Sequence, residues 1–370
     1  MSIFNKNKYY SLTEIDKLHA KYNVIIGGRS NGKTYSCLQK IIKIYAENGK
    51  QGAIIRRWDD DLKGKAGKQM FAGLVSEGEI RKATNGKWTE IYYNSRMWYF
   101  AKKSTDAKGK EITVHDNTPF CYGFSLSDME HDKSISFPDI TTVVFDEFLT
   151  RTLYMTDEFI IFQNVLSTII RNRTDVTIYM LGNTVNKYCP YFAEMGLTRV
   201  KEMQQGSIDL YTYGDSGLSV AVEYCAPLEK SKRSSDVYFA FDNPRLNMIK
   251  TGDWEIDIYP HCPCPFEARD ILFTYFIVFD DYICQCEIIR HDNIEFTFIH
   301  RKTTELKNPD EDLIFSNSFD PRPNYRRRIS RPLDKLGERI YSYYKSEKIF
   351  YSDNETGEVI NNYLKWSKQL

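Results

Sequence analysis

The sequence has no surplus of either charge, with 50 Lys and Arg against 50 Asp and Glu. No global positive field draws the chain to nucleic acid, so any nucleic-acid surface has to be a local patch. No apolar run reaches the roughly 18 residues that a spanning helix needs, and the opening MSIFNKNKYY lacks the apolar core of a signal peptide. No membrane partner is therefore expected. There is no internal repeat and no low-complexity stretch. The eight cysteines are not spaced as a disulfide frame; they stand among apolar residues, as reduced thiols do inside a cell. What is present is ample core material, 42% hydrophobic and 14% aromatic, which excludes a disordered chain. At 370 residues, roughly two or three domains are expected.

Read in order, SLTEIDKLHAKY carries a short helical pattern, with Ser11 as a candidate cap and Glu14 three residues on. An apolar burst at residues 23–26 stops at Gly27-Gly28, and residues 34–45 then follow a helical period. Residues 52–57 read as a second strand, 87–127 as strand-like segments broken by turns, 140–145 as a buried strand, 159–170 as an apolar helix and 176–181 as another buried strand. Strands separated by helices in this way predict an α/β fold on a parallel or mixed sheet. Residues 205–268 look irregular, as a linker domain would. From 269 onward, ILFTYFIVF, YICQCEIIR and IEFTFIHR with tight polar turns predict an antiparallel meander, followed by helices near 332–346 and 356–367. The expected domains are 1–204, 205–268 and 269–370.

The chemistry gathers at the first glycine turn. Gly27-Gly28-Arg29-Ser30-Asn31-Gly32-Lys33-Thr34 fits G-x-x-x-x-G-K-[ST], placed between a buried strand and an amphipathic helix. In such a P-loop, backbone N–H groups curl round a β-phosphate and the helix N-terminus adds its dipole. Lys33 would reach the β- and γ-phosphates of ATP, and the Thr34 hydroxyl would bind Mg²⁺. A second magnesium carboxylate and a water-orienting base are then needed. Asp146 and Glu147, closing the β-branched strand ITTVVF, supply them in those roles. Asn183, at the end of the next buried strand, could sense the γ-phosphate or be a plain turn residue. Arg171, in IIRNR, could pair with a nearby acid or project into a neighbouring subunit's site.

These motifs resemble the DNA-packaging ATPases of small short-tailed phages with protein-primed linear genomes, encapsidation proteins akin to terminase large subunits. GGRSNGKTY, IIRRW, DKSISFPDITTVVFDEF, IIRNR and LGNT carry the resemblance over the first 200 or so residues, and the strand-rich segment from 269 is weakly similar. The resemblance implies an additional-strand, conserved-glutamate (ASCE-type) P-loop ATPase domain, a short linker domain and an RNase-H-like C-terminal α+β domain. It implies a homomeric ring, a pentamer being one candidate size, docked on the portal vertex of a prohead in the host cytoplasm. That ring would drive double-stranded DNA inward with ATP and Mg²⁺. It assigns Arg171 the trans-acting finger, and assigns Lys133, Arg56 and Arg57 to DNA. One departure stands out: Trp58 is followed by Asp59-Asp60-Asp61, where the family tends to carry another basic residue.

An RNase-H-like nuclease needs a mid-strand carboxylate on its first strand for two-metal chemistry. Residues 271–279 have none, and Asp280-Asp281 fall in the turn, so a vestigial nuclease is expected. Arg322, Arg326, Arg327, Arg328 and Arg331 form a basic patch for DNA, portal or prohead, or else a solvated loop. Cys262, Cys264, Cys284 and Cys286 could hold zinc, although alternation places the last two on one buried strand face. Two rival functions stay open: a nucleic-acid helicase or remodeller, and a structural portal-vertex protein with a vestigial nucleotide site.

Overall fold

The computed structural model describes residues 9–131, 136–150, 154–155, 157–185, 187, 189–226, 254, 259–291 and 294–369. The chain divides into two compact units, one of residues 1–151 and 157–254, the other of 152–156 and 255–370.

The first unit is built on one large mixed sheet. Its strands are β1 (Tyr22–Gly27), β2 (Gln51–Arg56), β3 (Glu90–Asn94), β4 (Met97–Thr105), β5 (Glu111–His115), β6 (Cys121–Ser125), β7 (Ile140–Asp146), β8 (Thr177–Asn183), β9 (Ser207–Thr212) and β10 (Ser219–Tyr224). They lie in the order β3-β4-β6-β2-β7-β8-β1-β10-β9, with β5 paired to β4. From β6 through β10 every pairing is parallel. That explains why β1, β2, β7 and β8 read as short apolar runs: both of their faces are covered. Helix α1 is the short Thr13–Asp16, and α2 is Lys33–Asn48. Cys37, Leu38, Ile41 and Ile42 of α2 are buried along one stripe against the sheet. Helix α2 stops at Gly49, which takes φ +73° and donates its N–H to Tyr45 O at 2.9 Å, an αL termination. Short helices α3 (Gly64–Gln69), α4 (Ala72–Ser76) and α5 (Glu79–Ala83) follow β2. Helix α6 (Glu158–Ile170) crosses between β7 and β8 and buries Phe162, Val165, Leu166 and Ile169; α7 (Pro190–Glu194) packs beside it.

Two expectations need correcting. Ser11 does not cap a helix: α1 is only four residues long with Leu12 at its N-cap, and the Ser11 hydroxyl instead meets Thr13 Oγ1 at 2.7 Å. Nor is 205–268 a separate module throughout. Strand β10 pairs parallel with β1, and β9 pairs antiparallel with β10, so residues up to Tyr224 extend the large sheet. The polar turn between these strands hid a buried strand, SVAVEY, that completes the β1 environment.

In the second unit β11 (Ile271–Phe279), β12 (Tyr282–His291) and β13 (Ile294–Arg301) form the antiparallel meander. Adding β14 (Ile314–Ser316), β15 (Tyr325–Arg326) and β16 (Ile349–Tyr351) gives the order β15-β14-β11-β12-β13-β16. The two helices expected near the end are Lys335–Lys345 and Asn354–Gln369. Asp334 caps the first by accepting the Gly337 N–H at 2.7 Å. Among the described residues no helix is long and apolar enough to cross a membrane.

Candidate active site

The parallel strands end along one edge, and that edge collects most of the sequence's candidate residues. Strand β1 runs out into the loop of residues 27–32, which turns straight into α2. Gly27 sits in front of β10: a Cβ there would come within 2.9 Å of Cys225 Cβ. Gly32 holds φ +90°, and a Cβ on it would strike Tyr9 at 2.8 Å, so neither position tolerates a side chain. Asn31 is buried and accepts the Lys33 N–H on Oδ1 at 3.2 Å, pinning the entry to α2. Arg29 and Ser30 are exposed at the crest of the loop. The first-turn N–H groups of a helix have no intrahelical acceptor, so this loop and helix start form an anion-binding corner.

Lys33 is buried, and its ammonium donates to the carbonyls of Gly27 at 3.1 Å and Gly28 at 2.8 Å, with Asn183 Oδ1 at 3.4 Å. Burial pulls its pKa below the ordinary lysine range. Asn183 is brought here because β8 pairs with β1 in a register that sets Gly27 opposite Asn183. Strand β8 thus stands between the strand leading to the loop and β7, which carries the acidic pair.

The Thr34 hydroxyl donates to Asp146 Oδ1 at 3.0 Å. Asp146 is buried, which pushes its carboxyl above the ordinary range, while Arg56 beside it opposes that shift. A hydroxyl and a carboxylate oxygen this close are the hard donors that Mg²⁺ takes alongside substrate phosphates. The residues fit that ion. Glu147 is different in kind. Its side chain is 62% exposed, and its backbone takes φ +61°, a conformation that costs a non-glycine residue about 1–3 kcal/mol. The turn is held by Phe148 N–H donating to Leu181 O at 3.2 Å and by Arg57, which donates to the carbonyls of Glu147 at 3.2 Å and Phe148 at 2.8 Å.

Neither paired arginine is placed as the sequence suggested. Arg56 bridges the acidic pair, 2.9 Å from Asp146 Oδ2 and 2.8 Å from Glu147 Oε2. Arg57 is buried and makes a bidentate pair with Glu158, both bonds 2.9 Å, while Tyr191 Oη also donates to Glu158 at 2.9 Å. The assignment of Arg56 and Arg57 to DNA is therefore withdrawn: their guanidiniums are spent on carboxylates of the site and on its backbone. Glu158 and Tyr191 are the residues that sequence reasoning missed. The pairing spans 101 positions, so local pattern gave no sign of it; the only hint was two adjacent arginines ending an otherwise apolar strand. Removing one partner of such a pair strands a buried charge, so Arg57→Ala should cost about 3–5 kcal/mol. Urea unfolding followed by Trp fluorescence measures this, and a loss below about 1 kcal/mol would show that Glu158 does not depend on Arg57.

Arg171 lies elsewhere. It follows the last residue of α6 with φ +50°, is exposed, and lines an open depression with Ser167, Thr168 and Asn172. Because α6 returns from the end of β7 to the start of β8, Arg171 sits at the sheet edge opposite the loop of residues 27–32. Arg173 is structural: it donates to the carbonyls of Phe137, Pro138, Ile140 and Ile169. Lys133 lies outside the described residues.

In the second unit, β11 carries no carboxylate. Among the described residues no group of three or more His, Cys, Asp and Glu side chains could hold a metal. Cys284 and Cys286 are sealed in the core, and burial pushes both thiols well up. Within the arginine patch, Arg322 is neutralised by Asp310 and Asp320, and Arg326 by Asp334.

Residues 4–212 match the family model of the podovirus DNA encapsidation protein, Gp16. Two relatives are each described as a DNA packaging protein. That of Bacillus phage B103 is 27% identical over 178 residues, 47% of this chain and 48% of its own length. That of Bacillus phage phi29 is 25% identical over 191 residues, 51% of this chain and 50% of its own. The chain thus spans about half the length of the curated relatives it matches. Two solved structures share the fold nearly end to end. The Phi-28 gp11 DNA packaging motor aligns at TM-score 0.54 and 17% identity, covering 98% of this chain and 97% of that one. The bacteriophage Phi-29 genome packaging motor assembly aligns at TM-score 0.56 and 18% identity, covering 96% of each.

Proposed function

The chain belongs to the podovirus DNA encapsidation family, and from that premise we propose that it is the ATP-hydrolysing motor that drives double-stranded DNA into a phage prohead. The observation that carries the reading is the convergence of Lys33, Thr34, Asp146 and Glu147 at one sheet edge, with Thr34 and Asp146 3.0 Å apart. Loop amides and Lys33 hold the β- and γ-phosphates of ATP. Thr34 and Asp146 would hold Mg²⁺, which when bound would supply neutralisation of the phosphate charge. Glu147, turned outward on its strained backbone, orients water for in-line attack and takes its proton. Asn183, already beside the Lys33 ammonium, reports the presence of the γ-phosphate. The strand inserted between β1 and β7 is what an additional-strand ATPase requires, and supports that assignment.

Arg171 works in trans. Its own subunit's loop lies across the sheet, so the site it can serve belongs to a neighbour, which calls for a head-to-tail ring. Residues 269–370 form an RNase-H-like domain: β13-β12-β11-β14-β15, with only β12 antiparallel to its neighbours, is the order such a sheet has. Its first strand without a carboxylate supports a vestigial nuclease, suited to a motor that has nothing to cut. The domain is joined through the part of 205–268 that follows β10. The portal vertex of the prohead is the docking partner, inside the infected host cell.

Lys133, in the polar segment before β7, contacts the DNA backbone in this reading. Lys133→Ala should weaken duplex binding equally for unrelated sequences and lower the slope of log K against log salt by about one unit. An unchanged slope removes that contact. The function itself is tested with purified proheads, by ATP-dependent protection of genome DNA from nuclease. Absence of protection in a preparation that hydrolyses ATP would overturn it, and strand separation in place of protection would make the protein a helicase.

A further inference from the structure

The strand pair β4–β5 is unlike the rest of the first unit. Strand β4 pairs with β6 only through Met97 and Trp98, then runs on past the start of β6, where β5 pairs with it from Ala101–His115 to Thr105–Glu111 and, beyond Ala101, where β3 ends, accompanies it alone. The result is a two-stranded ribbon overhanging the sheet edge opposite the loop of residues 27–32. All five residues of β5 are exposed. Isolated two-stranded ribbons are marginal in water, and this one is stiffened at its base. The rings of Tyr92 and His115 stack at 4.5 Å and 5°, and Tyr99 tilts against His115 at 5.4 Å, over the small Ala101.

The ribbon carries a local excess of positive charge, four lysines against Asp106 and Glu111. Lys102, Lys103, Lys108 and Lys110 fall within nine residues of a chain whose total charge balances. Of the two acids one is ion-paired and the other closes the turn while keeping its charge. Asp106 accepts the N–H groups of Lys108 and Lys110, each at 2.9 Å, to close the turn, and Glu111 pairs with Lys103 at 3.1 Å. Lys102 and Lys87 both lie over the Trp88 ring, at 5.7 and 5.5 Å. Among the described residues no carboxylate pairs with Lys102, Lys108 or Lys110.

We infer that the β4–β5 ribbon is a binding site for the phosphate backbone of duplex nucleic acid, with Lys102, Lys108 and Lys110 as its principal contacts. The five paired residues of the ribbon, Ala101–Thr105 against Glu111–His115, reach about 15 Å before the turn, and a two-stranded ribbon is narrow enough to follow a major groove. Backbone contacts carry no sequence information, as a genome-length substrate demands. The inference rests on the DNA partner proposed above, but not on Lys133 or on any residue of the nucleotide site.

The test measures duplex binding by the full chain over a salt series, with two duplexes of unrelated sequence. Lys102→Ser/Lys108→Ser/Lys110→Ser should weaken both equally and reduce the slope of log K against log salt by about 2–3 units, at about 0.9 for each phosphate no longer neutralised. Basal ATPase without DNA should stay within about twofold, because the ribbon lies across the sheet from the nucleotide loop, and the triple Lys→Arg variant should keep the parental slope. Should the triple serine variant misfold, Lys108→Ser/Lys110→Ser, at the exposed turn, should still remove about 1–2 units. An unchanged slope in a parent that binds duplex overturns the ribbon and leaves the packaging reading intact. A parent that binds no duplex removes the DNA partner and the ribbon together. Loss of self-association at unchanged slope would make the ribbon a contact between copies, which also overturns the assignment.

Discussion

Glu147→Gln should leave ATP bound and almost unhydrolysed. The side chain is largely exposed, and its ion-pair partner is Arg56, outside the phosphate-binding loop. Its exchange therefore leaves the phosphate cradle and the Thr34–Asp146 pair in place. What disappears is the carboxylate able to accept a proton from attacking water, and loss of a positioned general base typically costs about 10²–10⁴-fold. Single-turnover hydrolysis together with equilibrium binding of a fluorescent ATP analogue separates the two quantities. Lys33→Ala provides the contrast, since it removes the ammonium that two loop carbonyls now hold and should weaken nucleotide binding itself. Turnover of Glu147→Gln within tenfold of the parent would take Glu147 out of the base role.

Arg171→Ala should lose a comparable or larger factor, about 10³–10⁵ where an arginine finger is removed from phosphoryl transfer, and the loss should be repairable by another subunit. The crossover helix before it has 13 residues, which at about 1.5 Å each sets Arg171 roughly 20 Å along the sheet from where α6 begins. Within one chain it therefore stands at the wrong edge. Mixing Arg171→Ala subunits with Glu147→Gln subunits should restore part of the ATPase activity, because some interfaces then join an intact arginine to an intact glutamate. Each variant alone should remain inactive. Mixed assemblies without recovery at any ratio would return Arg171 to a surface role.

Much of the first unit was legible because its signals are local. A buried run ending in glycines, a 3.6-residue period after Lys33 and a β-branched run ending in Asp146-Glu147 each describe a segment of fewer than twenty residues. Backbone geometry alone converts them into strand, loop and helix. The meander from 271 was legible for the same reason, through alternating segments and tight turns.

Apart from the Ser11 cap, the misreadings concern partners far away in the chain. Arg56 and Arg57 carry the same charge in any one-dimensional account. Only the parallel pairing of β2 with β7 brings Arg56 to the acidic pair, and only α6 brings Glu158 to Arg57. Strand β10 looked like part of a linker because its identity depends on β1, nearly 200 residues earlier, offering an edge to pair with. The sequence by itself determined which residues could bind phosphate, coordinate a hard cation and activate water, since side-chain chemistry and short spacing suffice for that. The tertiary structure decided which carboxylates Arg56 and Arg57 meet and at which sheet edge Arg171 stands. A buried charge must find its counter-charge wherever the fold puts one, and a crossover helix carries whatever follows it to the opposite end of the strands.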